Sequence, residues 1–374
     1  MDEQTLRSFG EAISSLMARE DLSQETARRM FCEILSNAQP ELHQGAFLAG
    51  LRMKGETEDE IAGCFEAIYS MDTNKVDIED LSLVENCGTG MDSLKTFNIS
   101  TLSAVVAASA GVPMARHGSR AITSRCGTVD LCETLGIDVE CDVNLVQESI
   151  VECGLGLFNG MSPQIHPGGL GRILSQIRFG STLNIAASLA NPALPKIAVR
   201  GVGTTEQIGP TLSVMKKIGH KRAMVFHGFD RQGIKGMDEL STLGISKVGM
   251  LNEDGWTEFT EIRPEQVSVP NGDYADIRPR ENTEEEAMEA VRLLAGRGNS
   301  SRTDIVVLNA GAIFLVAERV KSLVEGVEMA RNEVFSGRPL TKLIEWAKSQ
   351  NRNPEDGVEK IKTLCRRSSI PVPP

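Results

Sequence analysis

Hydrophobic and polar residues follow a helical period over the first seventy residues. The first series of apolar positions, three or four residues apart, is Leu6, Phe9, Ile13 and Leu16. Ser23 and Pro40 stand at the expected starts of a second and a third helix, and Thr57 and Glu60 have capping-box spacing at a fourth. The pattern predicts four short amphipathic helices that form a small helical domain.

From about residue 78 the pattern changes to short apolar runs, many rich in Val and Ile, that alternate with helical stretches. The candidate strands are LSLVEN, GVPMAR, GLGLFN, KIAVRGV, KRAMVFHG, ISKVGML, WTEFTEI and DIVVLNAGAIF. The helical stretches between them include STLSAVVAASAG, VDLCETLGI, IGPTLSVMKKIG and EEEAMEAVRLLAGRG. This alternation predicts an α/β domain with a mainly parallel central sheet, whose ligands bind at the carboxyl ends of the strands.

The length of 374 residues also favours two domains, because single cores rarely extend beyond roughly 250–300 residues. We expect a helical domain over residues 1–75, with the helix-rich segment 164–190 packed on it. The α/β domain then comprises residues 76–163 and 191–350, and residues 351–374 form a C-terminal extension.

Composition excludes some classes of function. The formal net charge of −12 argues against a nucleic-acid binder, which needs a positive surface. We see no stretch of about 18 apolar residues, so no membrane span is expected. The eight cysteines form no CxxC pair and the first residues carry no hydrophobic secretory segment, which favours free thiols in the cytoplasm.

The segment GTGMDSLKTFNIST, residues 88–101, joins a candidate strand to a candidate helix. Glycines allow an anion to approach the backbone, and the following helix start supplies unpaired N–H groups and a positive dipole end. The segment alone fits a phosphate site or an ordinary tight turn. Asp92 would repel a phosphate unless it accepts ribose hydroxyls or a cation lies between them.

Two further segments carry candidate chemistry. A loop after the second candidate strand gathers four basic residues among hydroxyl side chains in an otherwise acidic chain, namely Arg116, His117, Arg120 and Arg125. This loop is either a second anion cradle or a solvated loop. Asp238 and Glu239 are adjacent acids in a glycine-bounded loop and could hold Mg²⁺, which takes few protein ligands, although an exposed acidic turn is the alternative.

Together these segments resemble the anthranilate phosphoribosyltransferase family, within the wider group that includes pyrimidine nucleoside phosphorylases. The family pattern runs Gly-Thr-Gly-Gly-Asp, Thr-Phe-Asn-Ile-Ser-Thr, Lys-His-Gly-Asn-Arg, Gly-Ser-Ala-Asp and a later Asp-Glu. The corresponding positions here are 88–92, 96–101, 116–120, 127–130 and 238–239, and the resemblance extends over roughly residues 5–335.

The resemblance implies a small helical domain, a large α/β domain of the nucleoside phosphorylase/phosphoribosyltransferase type, and a substrate cleft between them. It also implies a homodimer formed through the helical domain, with phosphoribosyl pyrophosphate and Mg²⁺ as donor and metal. The donor would be held by Gly88, Gly90, Asp92, Thr96, Asn98, Ile99, Ser100, Thr101, Arg116, Ser124 and Thr128. The metal ligands would be Ser100, Asp238 and Glu239.

The same resemblance gives His117 and Arg116 catalytic roles, with Arg116 standing where the family has a pyrophosphate-binding lysine. The acceptor would contact Gly88, His117, Ser119, Arg172 and Arg178. The acceptor side departs from the family pattern, because Ser119 replaces an asparagine and Ala187-Ser188 replaces a Gly-Pro. Either Arg172 or Arg178 is a candidate for the acceptor carboxylate.

Three functions therefore remain open at the level of sequence. The first is phosphoribosyl transfer to an aromatic amine, with anthranilate as the first acceptor to test. The second is transfer to another aromatic or heterocyclic acceptor, or nucleoside phosphorolysis. The third is a non-catalytic protein that retains the donor site.

Overall fold

A computed structural model describes residues 3–78, 81–90, 93–120 and 126–373. The chain begins with four helices: α1 (Glu3–Met17), α2 (Gln24–Leu35), α3 (Glu41–Lys54) and α4 (Glu58–Met71). The side chain of Ser23 accepts a hydrogen bond from the Thr26 N–H, and Thr57 and Glu60 form the expected capping box. The four predicted helices are therefore confirmed.

Eight strands form one sheet within the described part of the chain. They are β1 (Val84–Gly88), β2 (Met114–Gly118), β3 (Leu155–Asn159), β4 (Ile197–Gly201), β5 (Arg222–Phe229), β6 (Gly236–Met237), β7 (Ser246–Leu251) and β8 (Thr257–Ile262). The order is β3-β2-β1-β4-β5-β7-β8, and β6 pairs with β5. The first five strands in this order are parallel, and β6, β7 and β8 add antiparallel pairs. The mainly parallel sheet is confirmed.

The remaining helices connect the strands and complete the C-terminal half. They are α5 (Ile99–Ser109), α6 (Thr128–Thr134), α7 (Val143–Cys153), α8 (Gly169–Ile177), α9 (Thr182–Ala187), α10 (Ile208–Lys217), α11 (Tyr274–Ile277), α12 (Thr283–Leu294), α13 (Ser300–Val316), α14 (Leu323–Ser336), α15 (Arg338–Ser349) and α16 (Pro354–Arg367). None of the described helices is long and apolar enough to cross a membrane.

The two faces of the sheet belong to different hydrophobic clusters, because side chains alternate along each strand. Val84, Met114 and Val199 face a cluster formed with α5 and α13–α16. Ala198 and Val225 face a second cluster, which includes the N-terminal bundle together with residues of α8, α9 and α10. The helical bundle therefore covers only one face of the sheet, and its boundary with that face forms part of the site described below.

The run DIVVLNAGAIF, which the sequence analysis assigned to a strand, lies within the helix α13, so that assignment was wrong. Almost every residue of α13 is buried, so the run shows neither the alternation of a strand nor the single apolar stripe of a surface helix. Its continuation to 17 residues is the feature that distinguishes it from a strand.

Candidate active site

Three neighbouring parallel strands each end in a glycine at the carboxyl edge of the sheet. Gly88, Gly118 and Gly201 are the last residues of β1, β2 and β4, and Gly88 is the register partner of Gly201. Loops that carry the candidate motifs leave the sheet at this edge, as expected for ligand sites of parallel sheets.

The acidic loop at residues 238–239 lies directly over this edge. A Cβ on Gly201 would come within 1.7 Å of the Asp238 carbonyl oxygen, and a Cβ on Gly88 within 2.3 Å of Asp238 Oδ2. From below, the Asn309 side chain on α13 accepts from the Leu240 N–H at 2.9 Å and donates to the Leu240 carbonyl at 3.0 Å. The position of the acidic pair is therefore fixed by close backbone approach and by a buried amide.

The carboxylates of Asp238 and Glu239 accept hydrogen bonds from the segment at residues 88–101, which the sequence predicts as a candidate anion site. The Gly90 N–H donates to Asp238 Oδ2 at 2.7 Å. The N–H and the hydroxyl of Ser100, in the first turn of α5, both donate to Glu239 Oε1, at 3.1 and 2.5 Å. The structure thus brings together the glycine turn, the helix start and the acidic pair, although the acidic pair lies far from the other two in sequence.

The environment of the acidic pair suits a divalent cation. Burial raises the pKa of Asp238, and burial together with Asp238 raises the pKa of Glu239 to about 8. Within the described part of the chain, neither carboxylate has a basic side chain within ion-pair distance. Two buried carboxylates and a hydroxyl without a cationic partner form a set of oxygen ligands that Mg²⁺ accepts, with water and phosphate oxygens completing its shell.

The first turn of α5 presents its main chain at this edge. The Ile99 and Thr101 side chains are fully buried, and the Ile99 N–H donates to the Phe97 carbonyl at 2.8 Å. The Asn98 amide is engaged with the Cys126 carbonyl at 3.2 Å. Any contact that Ile99 makes with the donor is therefore a main-chain contact.

Arg116 does not reach the glycine turn. Its guanidinium is buried and donates from Nε to Asn86 Oδ1 and from Nη1 to Thr101 Oγ1, each at 2.9 Å. This places it between the sheet and α5, beneath the anion cradle, which consists of Gly90, the first turn of α5 and the loop of Asp238 and Glu239. The lysine position of the family is thus occupied by a cation whose polar groups are already bonded inside the protein.

His117 and His166 form a buried pair on the opposite sheet face, with ring centroids 5.5 Å apart. His166 Nδ1 donates to the Asp72 carbonyl at 2.6 Å, and the Nε2 atoms of both rings are buried without a partner in the described chain. Burial lowers the pKa of His117 to about 3, with further contributions from His166 and Arg200. His117 is therefore neutral near pH 7 and a weak base.

The other predicted contacts are only partly assembled. Ser119 and Thr128 both lie near the end of β2: the Ser119 carbonyl accepts from the Val129 N–H at 3.3 Å, and a Cβ on Gly118 would come within 2.9 Å of the Thr128 side chain. Arg172 instead donates to the Ile34 carbonyl within the helical bundle, and Arg178 is exposed at the end of α8. Thr96 is half-buried in the loop before α5, and Asp92 and Ser124 lie outside the described residues.

Three residues that contribute to the site were missed by the sequence analysis. Asn309 is a single amide in an apolar run that was assigned to a strand. Asp72 caps α8 by accepting from the Leu170 N–H at 2.6 Å and also from the Gly168 N–H. Arg200 is buried at the end of β4, and the only signal for it was a charge within a strand of apolar character.

These features define an α/β protein with an anion cradle and a paired-acid loop at one edge of its sheet, next to a helical bundle. The sequence matches the model of the glycosyl transferase family, a/b domain, over residues 80–340. It also matches the model of the helical bundle domain of the same family over residues 10–71.

Relatives and solved structures agree with one branch of this family. An anthranilate phosphoribosyltransferase of Desulfosudis oleivorans is 34% identical over 349 residues, which cover 91% of this chain and 99% of the relative. The crystal structure of the enzyme of that name from Thermus thermophilus superposes with a TM-score of 0.81 at 30% identity, covering 91% of this chain and 99% of that one. The Saccharomyces cerevisiae protein in complex with PRPP and Mg has a TM-score of 0.79 at 21% identity, covering 93% and 98%, and supports the fold. The chain belongs to the anthranilate phosphoribosyltransferase family of glycosyltransferases.

Proposed function

We propose that this protein transfers the 5-phosphoribosyl group from phosphoribosyl pyrophosphate to anthranilate, with release of pyrophosphate, as a step of tryptophan biosynthesis. The observation that carries the proposal is the convergence of the Gly90 N–H, the first turn of α5 and the Asp238–Glu239 pair at one edge of the sheet. This edge offers amides for phosphate oxygens and carboxylates for magnesium.

The roles proposed for the donor side follow from these positions. Gly88 and Gly90 allow the phosphates to approach the main chain, and the N–H groups and hydroxyls of the first turn of α5 donate to them. Thr96, Asn98 and Thr128 border the same edge. Arg116 supports the cradle from beneath by holding Asn86 and Thr101. Bound magnesium would supply positive charge to the leaving pyrophosphate, and Asp238, Glu239 and Ser100 are the residues that would hold it.

On the acceptor side, displacement of pyrophosphate at the sugar C1 requires a positioned amine and no nucleophilic side chain. Holding the amine against C1 supplies much of the rate enhancement. Because the pKa of His117 is lowered to about 3, we assign it to orienting the acceptor, together with Gly88 and Ser119, in preference to removing a proton.

Pyrophosphate release in the presence and absence of anthranilate tests this proposal. We expect release that depends on both anthranilate and Mg²⁺, and loss of that release in the variant with Asp238→Ala and Glu239→Ala. Complementation of a tryptophan auxotroph tests the acceptor in the cell. Phosphate-dependent cleavage of nucleosides without anthranilate-dependent release would contradict the proposal.

The assembly and location are also proposals. A homodimer through the helical domain (residues 1–75) is supported by four large apolar side chains that its helices leave exposed: Met17 at 71%, Leu42 at 87%, Met53 at 80% and Met71 at 49%. A cytoplasmic location is supported by eight free cysteines. The proposed division is residues 1–75 with 164–190, 76–163 with 191–350, and 351–374. Its first boundary is supported by the bounds of the two family domains, residues 10–71 and 80–340. The packing of 164–190 on the helical domain is supported by the hydrophobic cluster that α8 and α9 share with the N-terminal bundle.

A further inference from the structure

Neither arginine that the sequence suggested for the acceptor carboxylate is placed to bind one. The Arg172 guanidinium donates to the Ile34 carbonyl at 2.9 Å and to Gln44 Oε1 at 3.2 Å, both within the helical bundle. Arg178 is exposed in a left-handed conformation at the end of α8. Arg172 thus bonds inside the bundle and Arg178 faces solvent, whereas a third arginine, Arg200, stands in the sheet on the face of His117.

Arg200 lies on the sheet face that carries His117. It is the register partner of Cys87 on β1, and the parallel pairing of Val84 with Met114 places Cys87 at the level of His117 on β2. The three side chains therefore stand side by side on adjacent strands, so that His117 and Arg200 are separated by two strand spacings, about 10 Å. This face is the one covered by the helical bundle, because Arg200 bonds to Ser188 at the end of α9.

The Arg200 guanidinium is 3% exposed and is held by neutral groups. Nη1 donates to the Ser188 carbonyl at 3.2 Å and to the Cys87 sulfur at 3.1 Å, and Nη2 donates to the Ser188 hydroxyl. Burial raises the pKa of the Cys87 thiol to about 11, so the thiol is uncharged near pH 7. Within the described chain no carboxylate lies within ion-pair distance of Arg200.

Glu85, which lies on the same sheet face, is only partly ionised near pH 7. Glu85 stands two residues before Cys87, is buried, and accepts from the Asn191 amide at 2.8 Å. Burial raises its pKa to about 7, although Asn191 and Arg200 act in the opposite direction. A buried cation with neutral neighbours and a partly neutral acid is costly unless an anion completes the site.

We propose that Arg200 is the residue that selects the acceptor, by binding its carboxylate beneath the helical bundle while His117 contacts the ring. Ser188 orients the guanidinium, and it stands where the family pattern has the proline of a Gly-Pro pair. Arg200 and Ser188 thus act together: the arginine binds the carboxylate, and the serine holds the arginine in place. This proposal rests on the proposed function for the reaction itself, and adds the residue that recognises the anionic group.

The test compares anthranilate with anthranilamide, which keeps the ring and amine but has no negative charge. Binding of each to the wild type is measured by calorimetry, and kcat/KM is measured by pyrophosphate release. We expect the wild type to prefer anthranilate by about 100-fold, and Arg200→Gln to reduce this preference to near parity, because a desolvated charge pair is lost. Arg200→Lys should retain part of the preference, and Arg172→Gln, the matched control, should retain all of it.

The outcomes separate this proposal from the proposed function. Preference for anthranilate that persists in Arg200→Gln, or that disappears in Arg172→Gln, would overturn the role of Arg200. A wild type that binds anthranilate through Arg200 but never transfers the phosphoribosyl group would overturn the proposed function alone. Binding of phosphoribosyl pyrophosphate with Mg²⁺ serves as the folding check for each variant. If Arg200→Gln does not fold, Ser188→Ala decides the matter, since it should weaken the preference and unchanged preference would count against the proposal.

Discussion

The contacts of Asp238 and Glu239 predict that replacing these two residues has opposite effects on pyrophosphate binding with and without magnesium. In the structure the two carboxylates bind the Gly90 N–H and the N–H and hydroxyl of Ser100, which are the groups proposed for the donor's phosphates. Without a cation, pyrophosphate must displace these carboxylates and also meets their charge. Replacing both by amides, Asp238→Asn with Glu239→Gln, should therefore improve binding in the absence of metal and impair it in its presence.

The size of the effect follows from the three contacts. A hydrogen bond to a charged group contributes about 1.5–3 kcal/mol and a neutral one about 0.5–1.5 kcal/mol, so each contact weakens by about 1 kcal/mol when its carboxylate becomes an amide. Three contacts give about 3 kcal/mol, which corresponds to about 100-fold in a dissociation constant. Because the amides retain some affinity for the same donors, we expect metal-free pyrophosphate to bind the double variant about 10-fold to 100-fold more tightly than the wild type.

Isothermal titration with inorganic pyrophosphate provides the measurement. The metal-free arm contains a chelator and is run at pH 8.5, above the pKa of Glu239 of about 8. The second arm contains Mg²⁺, where the double variant should bind more weakly than the wild type. The double change Glu253→Gln with Glu258→Gln, at two exposed positions, is the control for the same change in net charge. Equal metal-free affinities of wild type and double variant would refute this reasoning.

Four further predictions concern other parts of the chain. Burial raises the pKa of Glu85 from 4.5 to about 7, so the protonated carboxyl stabilises the folded state at low pH, and this stabilisation is lost as pH rises from about 4.5 to 7. Over that range the free energy of unfolding of Glu85→Gln, measured by denaturant titration, should rise by up to about 3 kcal/mol relative to the wild type. Parallel curves of unfolding free energy against pH would contradict this. Gly160→Ala would place a Cβ 2.4 Å from His117 Nε2, so KM for anthranilate should rise while KM for the donor is unchanged; equal effects on both would argue against an acceptor role. Asp72→Asn weakens the charged cap of α8 and should reduce the free energy of unfolding by about 2 kcal/mol, whereas no change would show the cap to be unimportant. Leu42→Glu should give a monomer in light scattering if the exposed face of the bundle is the dimer interface, and an unaltered dimer would exclude that face.

The fold was largely predictable because hydrophobic periodicity matched most elements. The starts of α2 and α4 have caps that the sequence displays, and the strands β1–β5 and β7 are short, largely apolar runs bounded by turn residues. The failure at α13 occurred where burial on all sides removes the periodic signal. The two-residue strand β6 exists through its pairing with β5, which no local pattern encodes.

The site was predictable where its residues share a local motif. The glycine turn, the start of α5 and the acidic pair were identified separately, and the structure places them in contact. The positions and bonding partners of individual basic side chains were not predictable. Arg116 is bonded beneath the cradle and Arg172 inside the bundle, whereas Arg200 lies on the face of His117, because tertiary partners such as Asn86, Gln44 and Ser188 decide where each guanidinium points.

The most direct test is a crystal structure of the protein soaked with phosphoribosyl pyrophosphate and Mg²⁺. We expect diphosphate oxygens on the main-chain N–H groups of Gly90 and the first turn of α5, with a cation bound by the displaced carboxylates of Asp238 and Glu239. A structure in which the donor binds elsewhere, while both carboxylates keep their contacts with Gly90 and Ser100, would contradict it.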